Sequence, residues 1–83
     1  MKQLPRLSEN FFSENTRGYI DIEDNSIDFL NVDWFSEHAT GYHIPDTKSK
    51  YRGFVLIMFE FDGELCWFRY SSRELKSMNV HLR

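Results

Sequence analysis

Apolar and polar residues alternate along this chain with more than one period, and the changes of period mark its elements. Tyr19-Ile20-Asp21-Ile22-Glu23 alternates one by one, which predicts a strand with Ile20 and Ile22 on one face and Asp21 and Glu23 on the other. Asp24-Asn25-Ser26 is a turn cluster, and Ile27 to Val32 is expected to pair back as a second strand. The clearest pattern comes later, where Phe54-Val55-Leu56-Ile57-Met58-Phe59-Glu60-Phe61 leads through Asp62-Gly63 into Glu64-Leu65-Cys66-Trp67-Phe68-Arg69-Tyr70. Asp-Gly between two β-rich runs predicts a hairpin, because a type I′ turn needs positive φ at both central residues.

The helical signals are shorter. Ser71 and Glu74 form a capping-box pair that opens a helix to about Met78 or Asn79, with Leu75 and Met78 on one side. Asp33 as a cap and Gly41 in the C′ position predict another helix over Trp34 to Thr40, although Trp34 and Phe35 suit a continued strand as well. Ile44 to Lys50 reads as a loop. Residues 1–17 are polar with Leu4, Leu7, Phe11 and Phe12 embedded, an arm or a short helix capped by Ser8. The expected class is α+β: residues 1–83 as one domain, its body over 18–83, with an antiparallel sheet of about four strands and one or two short helices.

Size limits what this pattern can do. A chain of 83 residues supports one thin core, exposing about 5,200 Å² folded against about 14,500 Å² unfolded. A single cysteine makes no internal disulfide, and no apolar run reaches the length of a membrane span. The N-terminus shows no apolar leader segment, so a soluble cytoplasmic domain with no membrane role is expected.

The charge is unevenly placed. Net charge is −3, yet residues 8–46 carry Glu9, Glu14, Asp21, Glu23, Asp24, Asp28, Asp33, Glu37 and Asp46 against Arg17 alone. Residues 47–83 carry seven cations, Lys48, Lys50, Arg52, Arg69, Arg73, Lys76 and Arg83, against Glu60, Asp62, Glu64 and Glu74. Either the carboxylates solvate the outer faces of weak strands, or they form an acidic surface that docks on a basic partner.

The hairpin raises a parallel question. A two-residue turn sets Phe61, Phe59, Ile57 and Val55 opposite Glu64, Cys66, Phe68 and Tyr70, an almost wholly apolar face that must be core. The other face centres on Leu56, Met58 and Trp67, with Phe54 and Arg69 beside them. Polar residues are expected there if that side meets water. Either a thin three-layer domain buries both faces, or Phe54, Leu56, Met58, Trp67 and Arg69 form a docking patch, most simply for a homodimer.

No motif assigns chemistry. Pro45-Asp46 with Glu60-Phe61-Asp62 has the outline of a PD-(D/E)xK nuclease site, but Asp62 stands where the lysine is required. Arg52-Gly53-Phe54 opens like an RNA-recognition-motif signature, but Val55 and Leu56 break it. Asp33, Glu37, His38 and His43 lack metal-ligand spacing, Cys66 falls on the core face, and the four glycines are isolated. No catalytic residue, metal or cofactor is expected.

The leading expectation is a non-enzymatic module that binds and occludes a protein partner, plausibly one that handles nucleic acid. Asp21, Glu23, Asp24, Asp28 and Asp33 would stand in for phosphates. This is the profile of small phage or mobile-element inhibitors of the anti-restriction and anti-CRISPR kind, a likeness of size and charge only. The alternative is a single-stranded nucleic-acid binder stacking bases on Phe54, Trp67 and Arg69. A metal-dependent nuclease or toxin using Asp33, Glu37 and His43 is the remotest reading.

Overall fold

The computed structural model describes residues 3–8, 19–20 and 31–83, with the backbone only at 19, 20 and 61. Strands Gln3–Leu4 (β1) and Tyr19–Ile20 (β2) precede helix Val32–His38 (α1) and strands Ala39–His43 (β3), Val55–Phe61 (β4) and Glu64–Tyr70 (β5). Helix Ser72–Ser77 (α2) and strand His81–Leu82 (β6) complete the order. The fold is α+β. Its main sheet has the order β2-β5-β4-β3, and β1 and β6 form a small parallel pair.

The β4–β5 hairpin is the centre. Val55 lies opposite Tyr70, Ile57 opposite Phe68, Phe59 opposite Cys66 and Phe61 opposite Glu64. Asp62 and Gly63 join the strands with φ of 53° and 74°, the left-handed pair a tight I′ connection requires. The antiparallel part of the sheet has three strands, β3, β4 and β5, rather than four. Tyr19 and Ile20 pair parallel to Trp67 and Phe68 instead. The expected partner strand over 27–32 lies outside the described residues up to residue 30, and Val32 begins α1.

The third antiparallel strand falls where a helix was expected to continue. Helix α1 stops at His38 and the chain enters β3 at once, so Thr40 and Gly41 are strand residues. Asn31, not Asp33, caps α1, its side chain accepting from the Trp34 N–H at 3.0 Å. Asp33 instead sits in the first turn, where a carboxylate complements the helix dipole. Within β3 the register slips between Ala39 and Gly41. This bulge explains why Ala39 and Tyr42, an odd number of residues apart, share one face.

That face is the larger core. Phe35 of α1 packs edge-on against Phe59 and Tyr70, each at 5.3 Å between ring centres. Leu4, Leu75 and Met78 close it, and no polar or charged side chain is buried among the described residues. Helix α2 has both ends fixed. Ser71 and Glu74 make a reciprocal capping box. At the other end Asn79 adopts a left-handed φ of 58°, while the N–H groups of Asn79 and Val80 donate to the Lys76 and Leu75 carbonyls. These are the two bonds of a Schellman ending. Replacing Ser71 with Ala removes the acceptor for the Glu74 N–H. It is expected to lower stability by about 1 kcal/mol, read as a shift in the urea midpoint at constant slope.

The second hairpin face is also buried. Leu56, Met58 and Trp67 are 1%, 3% and 0% exposed, with Leu7, Tyr51 and Leu65 packed on them. The cover comes from Leu7 of the N-terminal segment and Tyr51 of the β3–β4 connection, with Leu65 of β5 beside them. Residues 5–7 run beside β3, where the Leu7 N–H donates to the Tyr42 carbonyl at 2.8 Å and the Tyr42 N–H to the Pro5 carbonyl at 3.0 Å. Leu4 therefore faces one core and Leu7 the other. Among the described residues both faces of the hairpin are thus covered, as a thin three-layer arrangement requires.

Candidate functional site

Burial removes the expected docking patch. Leu56, Met58 and Trp67 are interior side chains, so they are unavailable for a homodimer contact or for stacking bases. Phe54 and Arg69 remain half-buried at its margin, with the Arg69 guanidinium 4.9 Å from the centre of the Phe54 ring. Of the acidic residues, Asp21, Glu23, Asp24 and Asp28 lie outside the described residues, and Asp33 is exposed on α1.

The structure regroups the remaining charges along the strand axis. Glu60, Asp62 and Glu64 flank the hairpin turn and are all exposed. Helix α1 ends at the same place, because the His38 ring nitrogen Nδ1 lies 3.0 Å from the Glu60 carbonyl oxygen, into which the Nδ1–H tautomer donates. Glu37 thus joins the turn carboxylates, and Asp33 lies one helical turn before it on the same face. At the opposite end, the β3–β4 connection carries Lys48, Lys50 and Arg52, β5 ends near Arg69, and α2 carries Arg73 and Lys76. Asp46 and Glu74 are the carboxylates of that end among the described residues.

The two ends are a strand apart. The seven residues of β4 span about 20 Å, against a screening length of about 8 Å at physiological salt. Each end therefore presents its own field to an approaching partner. Sequence reasoning split the charge near residue 46. The fold instead moves Glu60, Asp62 and Glu64 into one pole with Glu37, a grouping that only the hairpin register and the α1 contact reveal.

No protein-family model, curated protein or solved structure matches the chain.

The histidines are separated by the same axis. His38 is tied to the acidic end, whereas His43 closes β3 at the other end with its ring edge-on to Trp67 at 6.2 Å. Among the described residues no three His, Cys, Asp or Glu side chains are placed to hold a metal ion. Cys66 is fully buried. No helix among those residues is long and apolar enough to cross a membrane.

His43 does line something. Two adjoining clefts, of about 330 and 260 Å³, share His43 and Asp46 as walls. Arg6, Leu7 and Ser8 border the first, and Ser49, Lys50 and Tyr51 border the second. Sequence spacing gives no signal for this juxtaposition, because Arg6 reaches His43 only through the pairing of the N-terminal segment with β3, where Arg6 bridges to Tyr42.

Proposed function

We propose that the protein is a non-enzymatic interaction module that binds and occludes a protein partner through its carboxylate-bearing end. The observation that supports this reading is that Glu37, Glu60, Asp62 and Glu64, drawn from two separate stretches of chain, lie at the same end of the sheet, with Glu60 and Glu64 on its opposite faces. Exposed carboxylates at the hairpin tip and helix end offer negative charge to a basic surface. They would steer encounter and set orientation more than they would supply raw affinity. A partner that binds nucleic acid has such a surface, and the carboxylates would occupy positions its phosphate contacts normally take.

Charge reversal tests it. The Glu60→Lys, Asp62→Lys, Glu64→Lys triple variant is expected to lose the partner that the wild-type chain captures from its native host, with association slowed by about tenfold or more at low salt. A control carrying Lys48→Glu, Lys50→Glu and Arg52→Glu is expected to retain it. Equal capture by the acidic-end variant, or loss with the control alone, would assign binding to the opposite pole.

A further inference from the structure

We propose that the paired clefts around His43 form a binding trough for a phosphate-bearing ring ligand of nucleoside monophosphate size. The trough lies at the cationic end and is independent of the carboxylate pole.

Its walls are set before any ligand arrives. On one side the Leu7 and Tyr42 N–H bonds hold residues 5–7 against β3, which fixes the backbone at Arg6 between two anchored neighbours. Leu7 is packed so closely over Gly41 that a Cβ there would meet its Cγ at 2.6 Å. On the other side the loop is a chain of hydrogen-bonded turns. Asp46 Oδ1 accepts from the Lys48 N–H at 2.9 Å, Ser49 Oγ from the Tyr51 N–H at 3.0 Å, and the Asp46 and Ser49 carbonyls from the Ser49 and Arg52 N–H groups. A site held this way loses little conformational freedom on binding.

The lining chemistry selects the ligand class. Arg6 and Lys50 border the two clefts on either side of the shared wall, and both are exposed cations. The Arg6 fork in the first cleft and the Lys50 ammonium in the second each suit a phosphate monoester, which carries close to two charges and three acceptor oxygens. Among the described residues Asp46 is the one carboxylate on the walls, against the cations Arg6 and Lys50. Apolar surface adjoins the charge. Ile44 is 45% exposed beside Leu7, and half-buried Tyr51, with the Lys50 Nζ 5.2 Å from its ring centre, lines the second cleft. A bare phosphate would leave these side chains uncovered, whereas a ring would cover them. Each cleft alone is at the small end for a molecular site, so a nucleotide would fill one and reach across His43 into the other.

Uridine monophosphate, inorganic phosphate and uridine serve as probes in a titration followed by NMR. The His43 ring and the neighbouring Trp67 indole are the reporters. Uridine monophosphate is expected to shift both resonances saturably in the millimolar range, more tightly than phosphate or uridine alone. The Arg6→Gln, Lys50→Gln double variant is expected to weaken that binding by about tenfold or more while its amide spectrum stays that of the folded chain, because both side chains are exposed. No shift at millimolar uridine monophosphate, an unchanged affinity in the folded double variant, or equal binding of uridine would each overturn the proposal. So would a response to a short oligothymidine strand with none to the mononucleotide.

Discussion

Replacing Trp67 with Ala is expected to lower the unfolding free energy by about 3–5 kcal/mol. Trp67 is fully buried between the sheet and its cover, in contact with a small cluster of Leu56 and Met58. Truncation leaves a cavity the size of an indole, and an 83-residue domain has only about 4–12 kcal/mol of total stability to lose. The variant should therefore be largely unfolded near 37 °C, as read by far-UV circular dichroism and a urea titration. The same experiment separates core from docking surface. A docking residue loses partner affinity on truncation and leaves folding intact, so a cost below about 1 kcal/mol would return Trp67 to the surface. Arg69→Ala on the same face is half-buried and should cost far less.

The second large effect is expected at Gly41. A Cβ there would sit 2.6, 2.7 and 2.9 Å from Leu7 Cγ, Cδ1 and Cδ2, distances at which the whole isobutyl group must move. Gly41→Ala should cost about 1–3 kcal/mol through overpacking. The loss arises from displacement of the N-terminal segment, since the strand conformation itself suits alanine. Leu7→Ala alone opens a gap over Trp67 and also destabilises. The double variant removes the clash, so its cost should fall below the sum of the two single costs by about 0.5 kcal/mol or more. Strict additivity in urea titrations would show that Leu7 does not rest on Gly41.

Local chemistry made parts of this molecule legible in the sequence. Asp62-Gly63 and the flanking β-branched and aromatic runs specify the hairpin register, and Ser71 with Glu74 specifies the start of α2. Leu75, Met78 and Cys66 also fall inside, as their spacing implies. The sequence was less informative where structure depends on distant contacts. Strand β3 was hidden because Ala39-Thr40-Gly41 has weak strand propensity and directly follows a helix; its pairing with β4 and the cover from Leu7 make it a strand. Whether Trp67 was core or surface turned on that same cover, supplied by a segment sixty positions away in the chain. Asn79 gave no pattern signal, since its left-handed turn is recognised only from the helix it ends. The cationic trough was illegible for the same reason as β3: Arg6 comes to one side of His43 through tertiary pairing, with Lys50 on the other, and the three share no motif.

The pairing of Gln3 and Leu4 with His81 and Leu82, reinforced by the Arg83 N–H on the Leu4 carbonyl and the Tyr42 hydroxyl on the Arg83 carbonyl, joins segments separated by almost the entire chain. The hairpin closes over two residues and forms on its own timescale, whereas this parallel pair must close nearly the longest loop the polypeptide allows. Loop-closure entropy therefore leads us to expect the β4–β5 turn to form early and the β1–β6 pair late. Leu7 lies on the segment that this pair holds, so part of the cover over Trp67 is expected to loosen when the pair opens.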